Sequence, residues 1–323
     1  MSISANDIKF YKSANNNDTD GNGGAISSTL VVSSTLNNLF PNVTSAERVA
    51  GKTRYRKEFM RNESVDDFTL ELTELWIGSR STGGDHFQIK GGSDVDVQSA
   101  ADDYTNWYGA GVLSTTVGSG ESSLEVTFDT TSGVFSGESL FLHVDDGINE
   151  ARVQVVGTPS WIGNTATINI SGELNYNFAL TDTIVSTILD IGNIETSSNT
   201  WTENTVSGSY DEATYPVALY NVGTIKESWT LTFDDGVSFE VTGAVTGSVG
   251  SGSVSSNFVP ANDSSYYFAI NKDGWGGTWA SGETITFNTV HAGQGVWVKE
   301  IVPAGISSQS NNTVRLDWAG ESA

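Results

Sequence analysis

The sequence has no cysteine, five prolines, two methionines and three histidines among 323 residues. Without cysteine there is neither a disulfide staple nor any thiol chemistry, so the fold must rest on burial. His86, His143 and His291 stand alone, with no second histidine at metal-ligand spacing. A Gly-x-Ser-x-Gly nucleophile elbow is missing, as is any phosphate-binding loop. Residues 1–11 lack the apolar segment of a secretory leader, and no run approaches the roughly 18 apolar residues of a membrane span. These absences lead to the expectation of a protein without enzymatic activity or cofactor, made in a cytoplasm and bound to no membrane.

Large apolar side chains are plentiful, with fourteen Phe, ten Tyr and nine Trp, which supply enough buried area for real cores. Their spacing is that of strands. Leu140, Leu142 and Val144 alternate with polar residues, as do Ile285, Phe287 and Thr289, and each run follows a Ser-Gly-Glu cassette at 136–138 and 281–283; 119–121 is a looser copy. Alternation places His143 on the solvent side of its strand. The Asp-Asp-Gly triplets at 145–147 and 234–236 each separate two such runs, the signature of tight hairpins that need positive φ at glycine. Thr44 followed by Glu47 predicts a capping box on one short helical turn. In residues 68–78, Leu70 and Leu72 fall on one parity and Leu75 and Ile77 on the other, which predicts a bulge at Glu74. Residues 183–194 suit a strand or a short helix, and 243–257 a flexible loop or a weakly specified edge hairpin. The expected fold is all-β: two or three serial antiparallel sandwiches, Ig-like or jelly-roll-like, at 1–118, 119–195 and 196–323.

Charge is distributed unevenly. Residues 1–61 carry eight basic and five acidic groups, net +3, whereas the remainder carries seven basic and thirty-four acidic groups, net −27. An acidic body of this kind repels nucleic acid. Within the basic stretch, Arg54, Arg56, Lys57 and Arg61 lie on one predicted strand, with Arg54 and Arg56 on one face and Tyr55 and Lys57 on the other. Two readings apply: a solvated strand face, or a subunit interface that pairs with an acidic surface of a neighbouring copy.

Other candidate chemistry is sparse. The carboxylate pairs Asp102–Asp103, Asp145–Asp146 and Asp234–Asp235, with Glu138 or Glu283, contain the residue types of a glycosidase, although hairpin turns already account for the two Asp-Asp-Gly triplets. Trp275 and Trp279 flank a Gly-Gly-Thr segment and serve either as a glycan-stacking platform or as the cap of a sandwich core. Asn16, Asp18, Asp20 and Gly21 match the opening of a calcium loop, but position twelve is Ser27 where such a loop has a bidentate Glu.

The segments Asp7-Ile8-Lys9-Phe10-Tyr11, Gly23-Gly24-Ala25-Ile26-Ser27, Leu36-Asn37-Asn38-Leu39-Phe40 and Tyr55-Arg56-Lys57-Glu58-Phe59, with Asn62, resemble virion structural proteins of tailed bacteriophages. The same holds for Val296-Trp297-Val298-Lys299, Val302-Pro303-Ala304-Gly305 and the closing Gly320-Glu321-Ser322-Ala323. These segments cover about a quarter of the chain, at its two ends. The resemblance implies a particle component assembled in the host cytoplasm, in contact with other virion proteins and with copies of itself as a homo-oligomer, and with no catalytic residues. It leaves head shell, neck, tail and baseplate open. The competing expectation is a carbohydrate-binding adhesin or fibre module that uses Trp275 and Trp279.

Overall fold

The computed structural model describes residues 2–101, 107–130, 140–180 and 182–323, and about half of the chain is β-strand with very little helix. All named pairings are antiparallel, as expected for a chain built from hairpins. The first Ser-Gly-Glu cassette and the Asp102–Asp103 pair lie outside the described residues.

The largest sheet is ordered against the sequence. Strand Lys52–Asn62 pairs on one side with Ile8–Asn15, which pairs in turn with the edge strand Gly23–Leu30. On its other side lies Gly293–Val302, followed by His86–Gly91. A strand from near the end of the chain thus lies between two strands from its first third. A three-stranded sheet, Leu189–Ile194, Leu70–Ser79 and Arg315–Ser322, supplies the opposing layer. Met60, Ile89, Val296 and Val298 from the large sheet share a core with Leu70, Leu75, Leu189 and Ile194 from the small one. A single C-terminal module at 196–323 is therefore not what forms: the strands Gly293–Val302 and Arg315–Ser322 belong to the N-terminal sandwich.

The boundary expected at 118 is likewise continuous in hydrogen bonds. Strand Tyr108–Leu113 pairs with His86–Gly91, with Ser123–Phe128 and with Ile184–Thr187. From there the sheet curls. Ile184–Thr187 pairs with Phe141–Asp145, which pairs with Glu150–Gln154. A Val155–Ile170 bridge then returns to the Thr165–Asn169 strand, which pairs with Ser123–Phe128 and closes the ring. Leu124, Val126, Leu142, Val144, Val153, Ile168 and Phe178 fill its interior. His143 has the expected parity but is not solvated; its ring stacks on Trp76 at 4.5 Å, since the three-stranded sheet covers that side.

Between the two returns to the N-terminal sandwich, a five-stranded sheet forms in the order Ser197–Asn204, Thr284–Val290, Glu227–Phe233, Ser238–Gly243, Gly247–Ser253. The Gly-rich segment is its edge strand. Its core is aromatic: Trp229, Phe233, Phe239, Phe258, Phe268 and Phe287 pack as tilted and edge-to-face pairs.

Local expectations fare unevenly. The helix Ser45–Ala50 forms, with Thr44 Oγ1 accepting from Glu47 N and the Glu47 carboxylate accepting from Thr44 N at 2.8 Å. The bulge in Leu70–Ser79 is found, but at Leu72–Thr73, not at Glu74. Leu72 adopts φ +49° and is exposed, so it leaves the face predicted for it. Both Asp-Asp-Gly hairpins form. At 145–149 Gly147 has φ +81°, as the turn demands. Gly236, by contrast, has no positive φ; it is glycine because a Cβ there would meet the Trp279 carbonyl at 3.3 Å.

Candidate functional site

The strand Lys52–Asn62 carries the four basic residues that sequence reasoning assigned to a surface, and the structure buries it on both faces. It pairs with Ile8–Asn15 along residues 58–62 and with Gly293–Val302 along residues 52–61. The three-stranded sheet and residues 39–50 cover one face, and residues 92–101 with Trp107 cover the other. Arg54, Arg56 and Lys57 are 2 %, 3 % and 0 % exposed. Buried charge of this kind persists only with partners.

Each cation has one inside the chain. Arg54 donates from Nε to Glu300 Oε2 at 2.6 Å, with Nη2 at 2.5 Å from the same oxygen, and Glu300 is its cross-strand neighbour. Burial raises the Glu300 carboxyl to about 7, with Arg54 pulling it down and Asp85 pushing it up. Arg56 Nη1 lies 2.6 Å from Asp18 Oδ1 and also donates to the Asn17 and Tyr55 carbonyls. The Phe40 ring packs against both guanidinium groups, 5.7 Å from Arg54 Cζ and 5.4 Å from Arg56 Cζ.

Parity sends Lys57 to the opposite face, as predicted. Its Nζ donates to Asp96 Oδ1 at 2.5 Å and to the Gly24 carbonyl at 2.9 Å. Asp96 Oδ2 accepts from Trp297 Nε1 at 2.8 Å. Burial lowers the lysine while Asp96 opposes that, and the donors around Asp96 hold its carboxyl below the usual range. Three acceptor contacts on one ammonium favour its charged form. The same face continues with Lys299 Nζ, 4.2 Å from the centre of the Trp107 ring.

Glu58, between these groups in sequence, is different. It is 2 % exposed, its Oε1 has no hydrogen-bond partner, and burial alone lifts its pKa to about 8. Arg61 sits where the five-stranded domain joins the sandwich. Its Nη2 donates to the Asn221 and Val222 carbonyls at 3.2 and 2.8 Å, while Asp67 and the Phe68 carbonyl hold Asn221 from the other side. Asp94 completes the joint by pairing with Lys226 at 2.9 Å, close to a His291 whose burial drives its pKa to about 4.

The four basic candidates are therefore internal fasteners, and their expected role as a surface for another subunit is corrected. Trp275 and Trp279 are corrected in the same direction. Trp279 is 4 % exposed and stacks on Phe233 at 4.2 Å, and Trp275 packs edge-on against Phe233 and Trp279, so neither offers a face to a sugar. In the predicted calcium loop, the Asp18 carboxylate is directed at Arg56, a cation already in place. Among the described residues no group of three or more His, Asp or Glu side chains is arranged to hold a metal. Asn16 and Arg56 nonetheless line a common cleft. Glu283 lies under the turn it follows, accepting from Val206 N and Ala280 N. Asp145, Asp146 and Asp235 accept backbone N–H groups within their own turns.

Sequence reasoning missed the acids Asp96 and Glu300. One signal for Glu300 was available: Lys299 and Glu300 interrupt an otherwise apolar strand, so one of them had to face inward on each side. Searches against protein-family models, curated proteins and solved structures gave no match.

Proposed function

We propose that this chain is a non-enzymatic structural component of a tailed-phage virion, packing against neighbouring subunits as a shell-decorating, tail or baseplate protein. The observation that supports it best is the interlocked topology. Strand Gly293–Val302 sits between Lys52–Asn62 and His86–Gly91, and the ion pairs of Arg54 and Lys57 fix that arrangement from both faces. These buried polar contacts thus hold strands and loops in register, which suits a part that transmits load between neighbours. Two of the resembling segments, 55–59 and 296–299, fall on these strands. The adhesin reading loses the platform it rested on, because Trp279 is a core residue and Trp275 packs edge-on against it.

The test is quantitative mass spectrometry of purified particles from the phage whose genome encodes the chain. Presence at a fixed stoichiometry is expected, in hundreds of copies for head decoration and about a dozen or fewer for a baseplate. Absence from particles that are otherwise complete overturns the proposal.

A further inference from the structure

A cleft of about 530 Å³ opens between the first hairpin and residues 37–42. Lys12, Arg56 and Asn16 line one side, and Asn37, Asn38, Leu39, Pro41 and Asn42 line the other. Its size falls within the range of small-molecule sites, and three features of its lining point to a ligand. First, four carboxamides converge on it, each with an acceptor oxygen and two donor hydrogens. Second, two polar atoms of its lining residues are buried without partners: Arg56 Nε, a donor, and Asn16 Oδ1, an acceptor. A buried polar atom left without a partner is costly, and a ligand that supplies one relieves that cost. Third, the lining holds two cations against no lining acid, in a protein of net charge −24. Asp18 balances Arg56 alone, and Lys12 makes no ion pair among the described residues.

The Asn16 side chain makes no hydrogen bond among the described residues, so its rearrangement around a ligand breaks none of them. Asn37 holds its part of the rim in a left-handed conformation, φ +57°, and Asn38 Nδ2 is tied to the Val32 carbonyl at 2.7 Å. That wall is consequently shaped before any ligand arrives. The cleft asks for a ligand with an anionic acceptor beside hydroxyl groups that both donate and accept. A simple carboxylate leaves the amides unused, and a neutral sugar leaves Lys12 and Arg56 unused. We propose that the cleft binds an acidic saccharide through a hexuronate-type unit, with its carboxylate toward Lys12 and Arg56 and its hydroxyls on the asparagines.

Isothermal titration of the full chain with sodium glucuronate tests this, with glucose, acetate and a Glu-rich peptide titrated in parallel. Saturable millimolar binding of glucuronate is expected, about tenfold tighter than glucose or acetate, the size of one charge-assisted hydrogen bond. Lys12→Gln and Asn42→Ala lie on the rim and leave the buried strand intact. Lys12→Gln is expected to bring glucuronate to the affinity of glucose, and Asn42→Ala to weaken both sugars but not acetate. Arg56→Gln is a poorer first variant, since it also breaks the Asp18 pair. No saturable glucuronate binding, equal affinity for all three small probes, or binding unaffected by Lys12→Gln would each overturn the proposal. Tighter binding of the Glu-rich peptide than of glucuronate would overturn it in favour of a polypeptide partner.

Discussion

The N-terminal sandwich and the five-stranded domain solve the same packing problem with different materials. In the sandwich, the central strand buries Arg54, Arg56, Lys57 and Glu58 in succession, and the opposing strand buries Lys299 and Glu300. In the five-stranded domain the equivalent interior is Trp229, Phe233, Phe239, Phe268 and Phe287. An aromatic core tolerates small shifts because its contacts are many and individually weak. A charged interior does not, since each ion must keep its own partner at hydrogen-bond distance. The sandwich is therefore the more exactly specified of the two, and it is where strands from both ends of the chain must find one another.

The sharpest way to break the comparison is to remove an acid from the sandwich. Asp96→Ala leaves Lys57 buried without its carboxylate and frees Trp297 Nε1, and a loss of about 3–5 kcal/mol is expected in urea unfolding. Replacing Lys57 with Met in the same chain is expected to recover much of that loss, because the uncompensated ion is gone. A loss below about 1 kcal/mol in the single variant would show that Lys57 does not depend on Asp96. The five-stranded domain offers the matching experiment. Trp279→Ala, which removes the ring stacked on Phe233, is expected to cost about 3 kcal/mol, with no rescue by a second truncation and little dependence on pH.

The comparison also explains what could be read from the sequence. The aromatic domain was legible: Trp229 to Phe233 and Ile285 to Thr289 alternate cleanly, and each apolar parity is buried. In the sandwich the parity of Arg54, Arg56 and Lys57 was legible too, but its meaning was not. Alternation states which residues share a face; it does not say that both faces are covered. Coverage depends on the loops around Phe40 and Asp96 and on a strand more than 230 residues away, and local pattern carries none of that. The return of Gly293–Val302 into the first sheet was hidden for the same reason. Leu72 was misplaced because a bulge shifts parity at one residue, and its position depends on the partner strands. The cleft was not legible: Asn16 stood out only in the calcium-loop match, and the fold of the first hairpin brings it beside Asn37, Asn38 and Asn42.

Two buried glutamates sharpen the contrast through pH. Glu58 in the sandwich is offered no donor to Oε1, and its pKa is raised to about 8 from 4.5. The folded state therefore holds a proton that the unfolded state releases. Its contribution is intact below pH 4.5 and declines as pH rises toward 8. Glu58→Gln is expected to abolish that decline and to be more stable than the parent at pH 8, by about 2 kcal/mol. Parallel pH–stability curves for parent and variant would show that Glu58 is not the group responsible.

Glu227 at the start of a central strand of the five-stranded domain has the opposite sign. It is 6 % exposed, yet its carboxylate accepts from Ser228 N, Val245 N, Thr246 N and Thr246 Oγ1, which fastens the turn at 244–246. Burial pushes its pKa up, but these donors outweigh it and the group lies below its ordinary value. The unfolded state then binds the proton more readily, so the contribution is present above pH 4.5 and is lost as pH falls through the folded value. Glu227→Gln keeps the shape but exchanges a carboxylate for an amide that presents a donor to N–H groups, and a loss of about 1 kcal/mol at pH 7 is expected. That loss should vanish in acid, where the parent carboxyl is itself protonated. Thermal melts of the pair from pH 3 to pH 8 read both arms. A deficit in the variant that persists unchanged at pH 3 would mean that packing under the turn, and not the charge on Glu227, holds that end of the sheet.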